Sequence, residues 1–598
     1  MKKSNISRLS GNLSFISIVL KILGMAFAAG PFYIIVNNLM AILNGVSQGV
    51  ITYMTQLFFE SVSDTATANT GVRDVITMAC ALSLTVVLSQ VINGLNNFMG
   101  MSYFKKVIGY LNKKINSKAS KIQPIAYEDT DFLDDINKAS QGAQNSLGLL
   151  FTITTIFSYY TPYFAFMFIY LFRLKPFLAI SLVFVFVPVA FSQLVRNIVF
   201  TRLEDEVAPI RREYNYYQKC IGEKETRILG AFQYFRDLYS SSLDLLNNAV
   251  WKAEKKAGLI ELGLKMVTLI GYLGILFLFV QSLLKGEISV GAFAAVFASI
   301  DTMFSTMDQI ICRHIANMTR DLGTIKNFLR FLDMPEREGK DLEKDQKQGI
   351  SLKNVSFQYP KSGKNVLKNI SLDIKRGETI AIVGENGAGK STLVKLILGI
   401  YEPNEGTVEI CGLDTQVASL ENLAMGVSAV FQKYQRYKMT LKENIKISDS
   451  ICYKDEQSKI EKAFEKVGLD IENRSFPNGY RTILSREFDG VELSAGQWQR
   501  VAIARGLYRV HDIIILDEPT AAIDPIEEAN IYRQFAEISK NKTSIIVTHR
   551  LGSAKIADKI IVMNQGKIIE VGSHEQLMKA KGKYWEMFTM QSKWYRSS

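Results

Sequence analysis

The residues best equipped for chemistry stand together at 384–392, where the chain reads Gly384-Glu385-Asn386-Gly387-Ala388-Gly389-Lys390-Ser391-Thr392. The glycines let successive backbone N–H groups turn inward around an anion. Lys390 follows the last glycine, so its ammonium can reach terminal phosphate oxygens, and the Ser391 hydroxyl beside it suits Mg2+. The run Glu378–Val383 ahead of the loop has the look of a buried strand, and Leu393–Leu398 after it reads as the opening turns of a helix. Strand, G-x-x-x-x-G-K-S and helix together make a phosphate-binding loop, to which the helix N-terminus adds partial positive charge. A glycine turn without a ligand needs no such setting. The chemistry implied is the binding of a nucleoside triphosphate with Mg2+.

Four more features follow the same order along the chain. Tyr359, ending Val355-Ser356-Phe357-Gln358-Tyr359, offers a ring that could stack on adenine, although an aromatic there is more often strand core. Gln432 ends the apolar run Val430-Phe431-Gln432, where its amide could reach Mg2+ or an attacking water. Leu493-Ser494-Ala495-Gly496-Gln497 opens a helical pattern, and Ser494 and Gly496 at such an N-terminus make a second anion site. Ile513-Ile514-Ile515-Leu516-Asp517-Glu518 is a buried strand ending in two carboxylates.

The elements that must hold these groups divide the chain. At 598 residues it should carry several domains, and its 48% hydrophobic content is uneven. Six stretches near the start are apolar for about 20 residues or more, at Ile22–Val46, Val75–Phe98, Leu147–Leu171, Phe177–Val199, Met266–Leu284 and Ile288–Cys312. Buried helices of a soluble protein are amphipathic rather than apolar all round, so these read as transmembrane spans. Pro31 and Pro188 fall inside spans as tolerated kinks, while Lys21 and Lys265 sit at span ends and snorkel outward. The net charge of +12 is explained by basic loops without nucleic acid. The five cysteines are scattered and lack metal spacing, and no cleavable signal is evident.

Lysine and arginine crowd the second and fourth connections and are sparse in the first, third and fifth. By the positive-inside tendency both termini lie in the cytosol, where the triphosphate is. Met101–Ser120 and Glu204–Lys256 carry mixed charge at helical spacing, so membrane helices are expected to continue well into the cytosol. Tyr127–Leu133 and Lys224–Ala231 are the candidate crossing segments between them. The sixth span is expected to run on to about Leu332, which gives a membrane domain at 1–332, a charged linker at 333–349 and a nucleotide-binding domain at 350–598.

With these motifs in this order, the region from Ile350 to Met590 resembles the ATPase of ATP-binding-cassette (ABC) transporters, and the six spans ahead of it resemble the half-transporter exporters of that family. The resemblance implies an α-helical membrane domain fused to a cytoplasmic α/β P-loop ATPase. It matches 384–392 to Walker A, Ile513–Glu518 to Walker B, Leu493–Gln497 to the signature, Ala521-Ala522-Ile523-Asp524 to the D-loop, and His549, after the run Thr543–Val547, to the switch histidine. By that match, Asp517 orients the Mg2+ shell, Glu518 is the general base and His549 contacts the γ-phosphate. ATP lies between one Walker A and the signature of a second copy or of a paralogous half-transporter. Ala495, Ala521 and Ile523 depart from the commoner residues but remove no charge, so a competent site and a sufficient homodimer are expected.

Glu487–Arg500, and Tyr127–Leu133 with Asp134-Asp135 after it, resemble the subgroup exporting lantibiotics and other modified peptides from Gram-positive bacteria. That resemblance implies a peptide cargo and a bacterial cytoplasmic membrane. Lipid or multidrug export is the alternative within the architecture, and an ATP-gated channel or regulator the rival outside it. Nothing ahead of the first span reads as a leader-cutting protease domain. Asp301 falls near mid-span in the sixth stretch and Asp308 two turns on along the same face. Intramembrane carboxylates face a cavity or a partner, so a cargo of cationic character is expected, against the alternative of a structural pair with Lys265, Arg313 or another helix end.

Overall fold

A computed structural model describes residues 14–596 apart from 69–70, 311–315, 346, 450–454, 472–474, 519–531, 534, 538 and 541. The chain forms two units, one of Met1–Ser120 with Asp134–Met334, the other of Lys121–Leu133 with Pro335–Ser598.

The first unit is helical: α1 (Phe15–Ala29), α2 (Pro31–Ala68), α3 (Val72–Lys121), α4 (Thr130–Thr155), α5 (Thr161–Leu174), α6 (Pro176–Gly222), α7 (Lys224–Ile228), α8 (Phe232–Leu284), α9 (Val290–Asp308) and α10 (Ala316–Leu332). By length and composition α2, α3, α8 and α9 are able to cross a membrane. The third and fourth expected spans fall on α4–α5 and on α6. With 50, 47 and 53 residues, α3, α6 and α8 exceed what a bilayer core of about 30 Å needs. The α6–α8 pair is held along its length by Arg196, 3.0 Å from Glu261, and by stacked Tyr214 and Tyr239.

Three expectations need correction. The first span does not start at Ile22, because the helix stops at Ala29 and a new one begins at Pro31. Proline has no N–H and clashes with the carbonyl four residues back, so it opens α2 rather than kinking it. Lys21 does not snorkel but pairs with Asp333 at 2.9 Å. The first crossing is a 3-10 turn at Pro124–Glu128, and 130–133 already belongs to α4. By contrast Pro188 does lie inside a continuous helix.

Between α4 and α5 the helix widens into a π turn at Ile156–Tyr160. Pro162 removes one backbone donor just beyond it, and the Ile156 carbonyl accepts from both the N–H and the hydroxyl of Thr161, the latter at 2.8 Å. Here α2 comes so close that a Cβ on Gly45 would stand 2.3 Å from the Tyr159 carbonyl oxygen.

The second unit carries two sheets. The antiparallel one has the order β2-β1-β4-β5, with β1 (Ile350–Gln358), β2 (Asn365–Ile374), β4 (Glu405–Ile410) and β5 (Leu413–Asp414). The other has the order β10-β9-β3-β8-β7-β6, with β3 (Thr379–Gly384), β6 (Val427–Val430), β7 (Ile513–Asp517), β8 (Thr543–Val547), β9 (Lys559–Asn564) and β10 (Lys567–Gly572). Strands β9, β3, β8, β7 and β6 run parallel. Helix α11 (Lys390–Ile397) starts on the phosphate loop. Strands β3, β7 and β8 are almost wholly buried, as a parallel sheet covered on both faces requires.

Candidate nucleotide site

In an open parallel sheet, ligands collect beyond the C-terminal ends of the strands. Four neighbouring strands do this here: β3 runs into the phosphate loop, β7 into Glu518, β8 through Thr548 to His549, and β6 through Phe431 to Gln432.

The loop needs its glycines. Gly387 and Gly389 have φ of 81° and 99°, and a Cβ on Gly389 would meet a Leu367 methyl at 2.7 Å. Beyond them the first-turn N–H groups of α11 have no partner within the helix and are free for an anion. Lys390 is buried, its ammonium donating to the Gly384 carbonyl at 2.9 Å and the Glu385 carbonyl at 3.1 Å. Burial pulls its pKa below the ordinary lysine value, opposed by the charges of Glu518 and Asp517.

The carboxylates complete the cluster. Ser391 donates its hydroxyl to Asp517 at 3.2 Å. Burial pushes the Asp517 pKa up, the Ser391 hydrogen bond working against it. A phosphate beside Lys390 and a cation beside Asp517 would each restore the charged form, so both groups fit a metal-bound triphosphate. Glu518 lies 4.0 Å from the Lys390 ammonium and 3.6 Å from His549 Nδ1, and it accepts the Gln432 amide N–H at 2.7 Å. That contact leaves the Gln432 carbonyl oxygen for a metal or water. Glu518 takes a left-handed φ of 47°, a conformation costing a side-chain-bearing residue about 1 kcal/mol, which turns the carboxylate back over the strand ends.

Other expected residues stand elsewhere. Ser494 caps the helix Ala495–Tyr508 in a capping box with Gln497, whose amide also donates to Ser475 at 3.0 Å. Among the described residues no hydrogen bond or ion pair joins Ser494, Gly496 or Gln497 to the phosphate loop. Tyr359 is part-buried between Phe357 and Tyr401, its hydroxyl 3.1 Å from that of Thr392. The D-loop, 521–524, lies outside the described residues. Asp301 is exposed on α9 in the other unit, and the Asp308 side chain is not described.

A further cluster has no signature in the sequence. In the segment joining α3 to α4, Glu128 is bound by Lys395 at 3.1 Å and by the Tyr401 hydroxyl, while Asp129 pairs with Lys361 at 2.8 Å. The Tyr401 hydrogen bond holds Glu128 below the usual carboxylate range, although partial burial opposes it. A lysine three positions past a phosphate loop carries no signal without its partner.

This arrangement defines the class of protein. Residues 367–521 match the family model described as ABC transporter, so the chain carries an ABC transporter ATPase domain. The chain is 29% identical to the subtilin transport ATP-binding protein SpaT of Bacillus subtilis over 574 residues, 92% of this chain and 90% of that protein. It is 35% identical to the nisin transport ATP-binding protein NisT of Lactococcus lactis and 33% identical to an ATP-dependent lipid A-core flippase of Haemophilus ducreyi, matches spanning 53% and 52% of those proteins. Its fold is that of a solved bacterial Atm1-family ABC exporter with ATP bound, at a TM-score of 0.79, 20% identity and coverage of 94% of this chain and 99% of that one. With its apolar helices, it is a membrane protein of ABC exporter architecture.

Proposed function

We propose that the chain is one half of an ATP-driven exporter, working as a pair of identical chains and moving a peptide outward across a bacterial cytoplasmic membrane, with both termini in the cytosol. The observation that carries the ATPase is the convergence on Glu518 of Gln432, Lys390 and His549, next to the Ser391–Asp517 pair. In this reading Lys390 and the loop N–H groups bind the β- and γ-phosphates. Ser391, Asp517 and the Gln432 carbonyl oxygen would hold Mg2+, which would supply neutralising charge to the triphosphate. Glu518 takes the proton of a water whose oxygen attacks the γ-phosphorus, ADP leaves, and His549 steadies the transferred group. Ser494 and Gly496 of the second copy close the site from the far side. SpaT and NisT, named for subtilin and nisin transport, agree with the lantibiotic-exporter resemblance and favour a peptide cargo. Asp301 and Asp308 remain proposed contacts for a basic part of it.

Inverted membrane vesicles containing the full chain test the reading. A labelled basic peptide should accumulate against its gradient with ATP and not with Glu518→Gln. Flux that only runs downhill would make it a gated channel, and lipid movement without peptide movement would favour the flippase alternative.

A further inference from the structure

The first unit holds a cavity of about 530 Å3 between α2, α3 and the α4–α5 helix. Its lining includes five asparagines: Asn37 and Asn44 from α2, and Asn93, Asn96 and Asn97 from α3. Spacings of seven on α2 and of three and four on α3 put each set on one helix face. Gly100 continues the α3 face, where a Cβ would stand 3.2 Å from Asn37 Oδ1. Opposite, the π turn contributes Tyr159 and Tyr160. No lining residue is charged.

Asparagine is expensive inside a membrane domain unless its amide is satisfied. Asn44 donates to Asn93 Oδ1 at 3.2 Å, yet its own Oδ1 is buried without a hydrogen-bond partner, and so is Asn96 Oδ1; Asn44 is only 4% exposed. A structural seam would pair these oxygens. Pairing within the protein continues further along the same two helices, where Ser47 and Gln48 both meet the Ser89 hydroxyl. The cavity is where pairing stops.

We propose that this cavity binds the main chain of a peptide in extended form, its carboxamides exchanging hydrogen bonds with backbone N–H and C=O groups. The inference rests on the peptide-export reading and deepens it. A carboxamide presents the same donor and acceptor as a peptide bond. Asn37 and Asn44 lie about 10.5 Å apart along α2, close to the advance of three extended residues. The volume falls within the ordinary range of ligand sites. An anionic lipid headgroup needs cations that the lining lacks, and a cationic side chain needs carboxylates that it lacks too. Recognition through the main chain tolerates many sequences, and any charge preference has to come from elsewhere, Asp301 included.

The test uses the full chain in nanodiscs and a capped, uncharged, fluorescent Ser–Ala repeat peptide, alongside the same peptide N-methylated at alternate backbone nitrogens. The parent peptide should bind and the methylated one should bind about tenfold or more weakly, since donors are lost while side chains are kept. Asn96→Leu, near-isosteric, should weaken binding of the parent peptide by about tenfold while melting no lower than wild type, because it removes an unpaired buried oxygen. Equal affinity for both peptides, or unaltered binding by Asn96→Leu, overturns the inference and leaves peptide export standing if vesicle uptake persists. Binding lost in Asn96→Leu but restricted to glycolipid also overturns it. Peptide binding at the asparagines without vesicle uptake would retain the site and remove the export reading.

Discussion

Lys395, the sixth residue of the helix that begins on the phosphate loop, is bound at 3.1 Å to Glu128, which lies in the turn between α3 and α4. One rigid helix therefore has a phosphate site at its first turn and an anchor for the inter-helix segment at its second. If α11 shifts when phosphates arrive, the Glu128 carboxylate is a direct contact between that helix and the segment, beside the Asp129–Lys361 pair.

Glu128→Gln should therefore separate hydrolysis from its stimulation. The pair is part-exposed, so the loss costs at most about 1 kcal/mol of stability. Basal ATPase in nanodiscs should stay near wild type while stimulation by a transported peptide falls several-fold. Stimulation at the wild-type level would leave the contact without a coupling role.

Glu518→Gln should keep its place beside Gln432 and His549 but lose the ability to take a proton. Turnover should drop by about 10²–10⁴ while ATP binding survives, because Lys390 and the loop are untouched. Phosphate release and nucleotide binding measured on the same sample would check this. Wild-type turnover would assign the base to another residue.

Ser494 bears on two things at once, since its hydroxyl caps a helix and the proposed dimer sets it against a phosphate on the facing copy. Replacing it with arginine would confuse the two, because loss of the cap alone costs about 1 kcal/mol. Ser494→Asp separates them: aspartate caps equally well but repels phosphate. The expected result is an unchanged Tm with ATP-dependent cross-linking between copies abolished. Persistent cross-linking would argue against the shared site.

Much of this site was legible because its chemistry is local. The phosphate loop is a contiguous stretch whose glycines, lysine and serine each meet a fixed backbone need, and Asp517 and Glu518 end a strand that reads as apolar by composition alone. What could not be read depends on partners distant in sequence. Glu128 and Lys395 are separated by 267 positions, and either alone looks like a solvated charge. Asn93, Asn96 and Asn97 did carry a signal, three amides on one face of an apolar span, but the hydropathy of the span hid it. For the same reason the break at Gly30–Pro31 reads in the sequence as a kink within one span, since apolar residues continue on both sides of it.

His511 supplies a pH dependence of opposite origin to the carboxylates. It is buried two residues ahead of β7, with Nδ1 donating to the Arg509 carbonyl at 2.6 Å and Nε2 facing the Lys542 ammonium at 3.2 Å. This arrangement admits only the neutral ring, since Nε2 has to accept. Burial lowers its pKa from 6.5 to about 4, with Lys542 adding to the shift and the Arg509 carbonyl and Asp512 opposing it. Between those values the unfolded chain binds a proton that the folded one refuses, so stability rises with pH across the window. The contribution is whole above pH 6.5 and is lost as pH falls toward 4, reaching about 3 kcal/mol at the limit and about 2 kcal/mol at pH 5. For a unit of this size that corresponds to a fall in Tm of about 4–8 °C between neutral pH and pH 5. His511→Gln cannot titrate, and its amide can still donate to the Arg509 carbonyl. Its Tm at neutral pH should be somewhat lower, but the further fall on acidification should be smaller than in wild type by that amount. Thermal unfolding of both proteins at the two pH values decides the matter, and parallel pH profiles would remove His511 as the source.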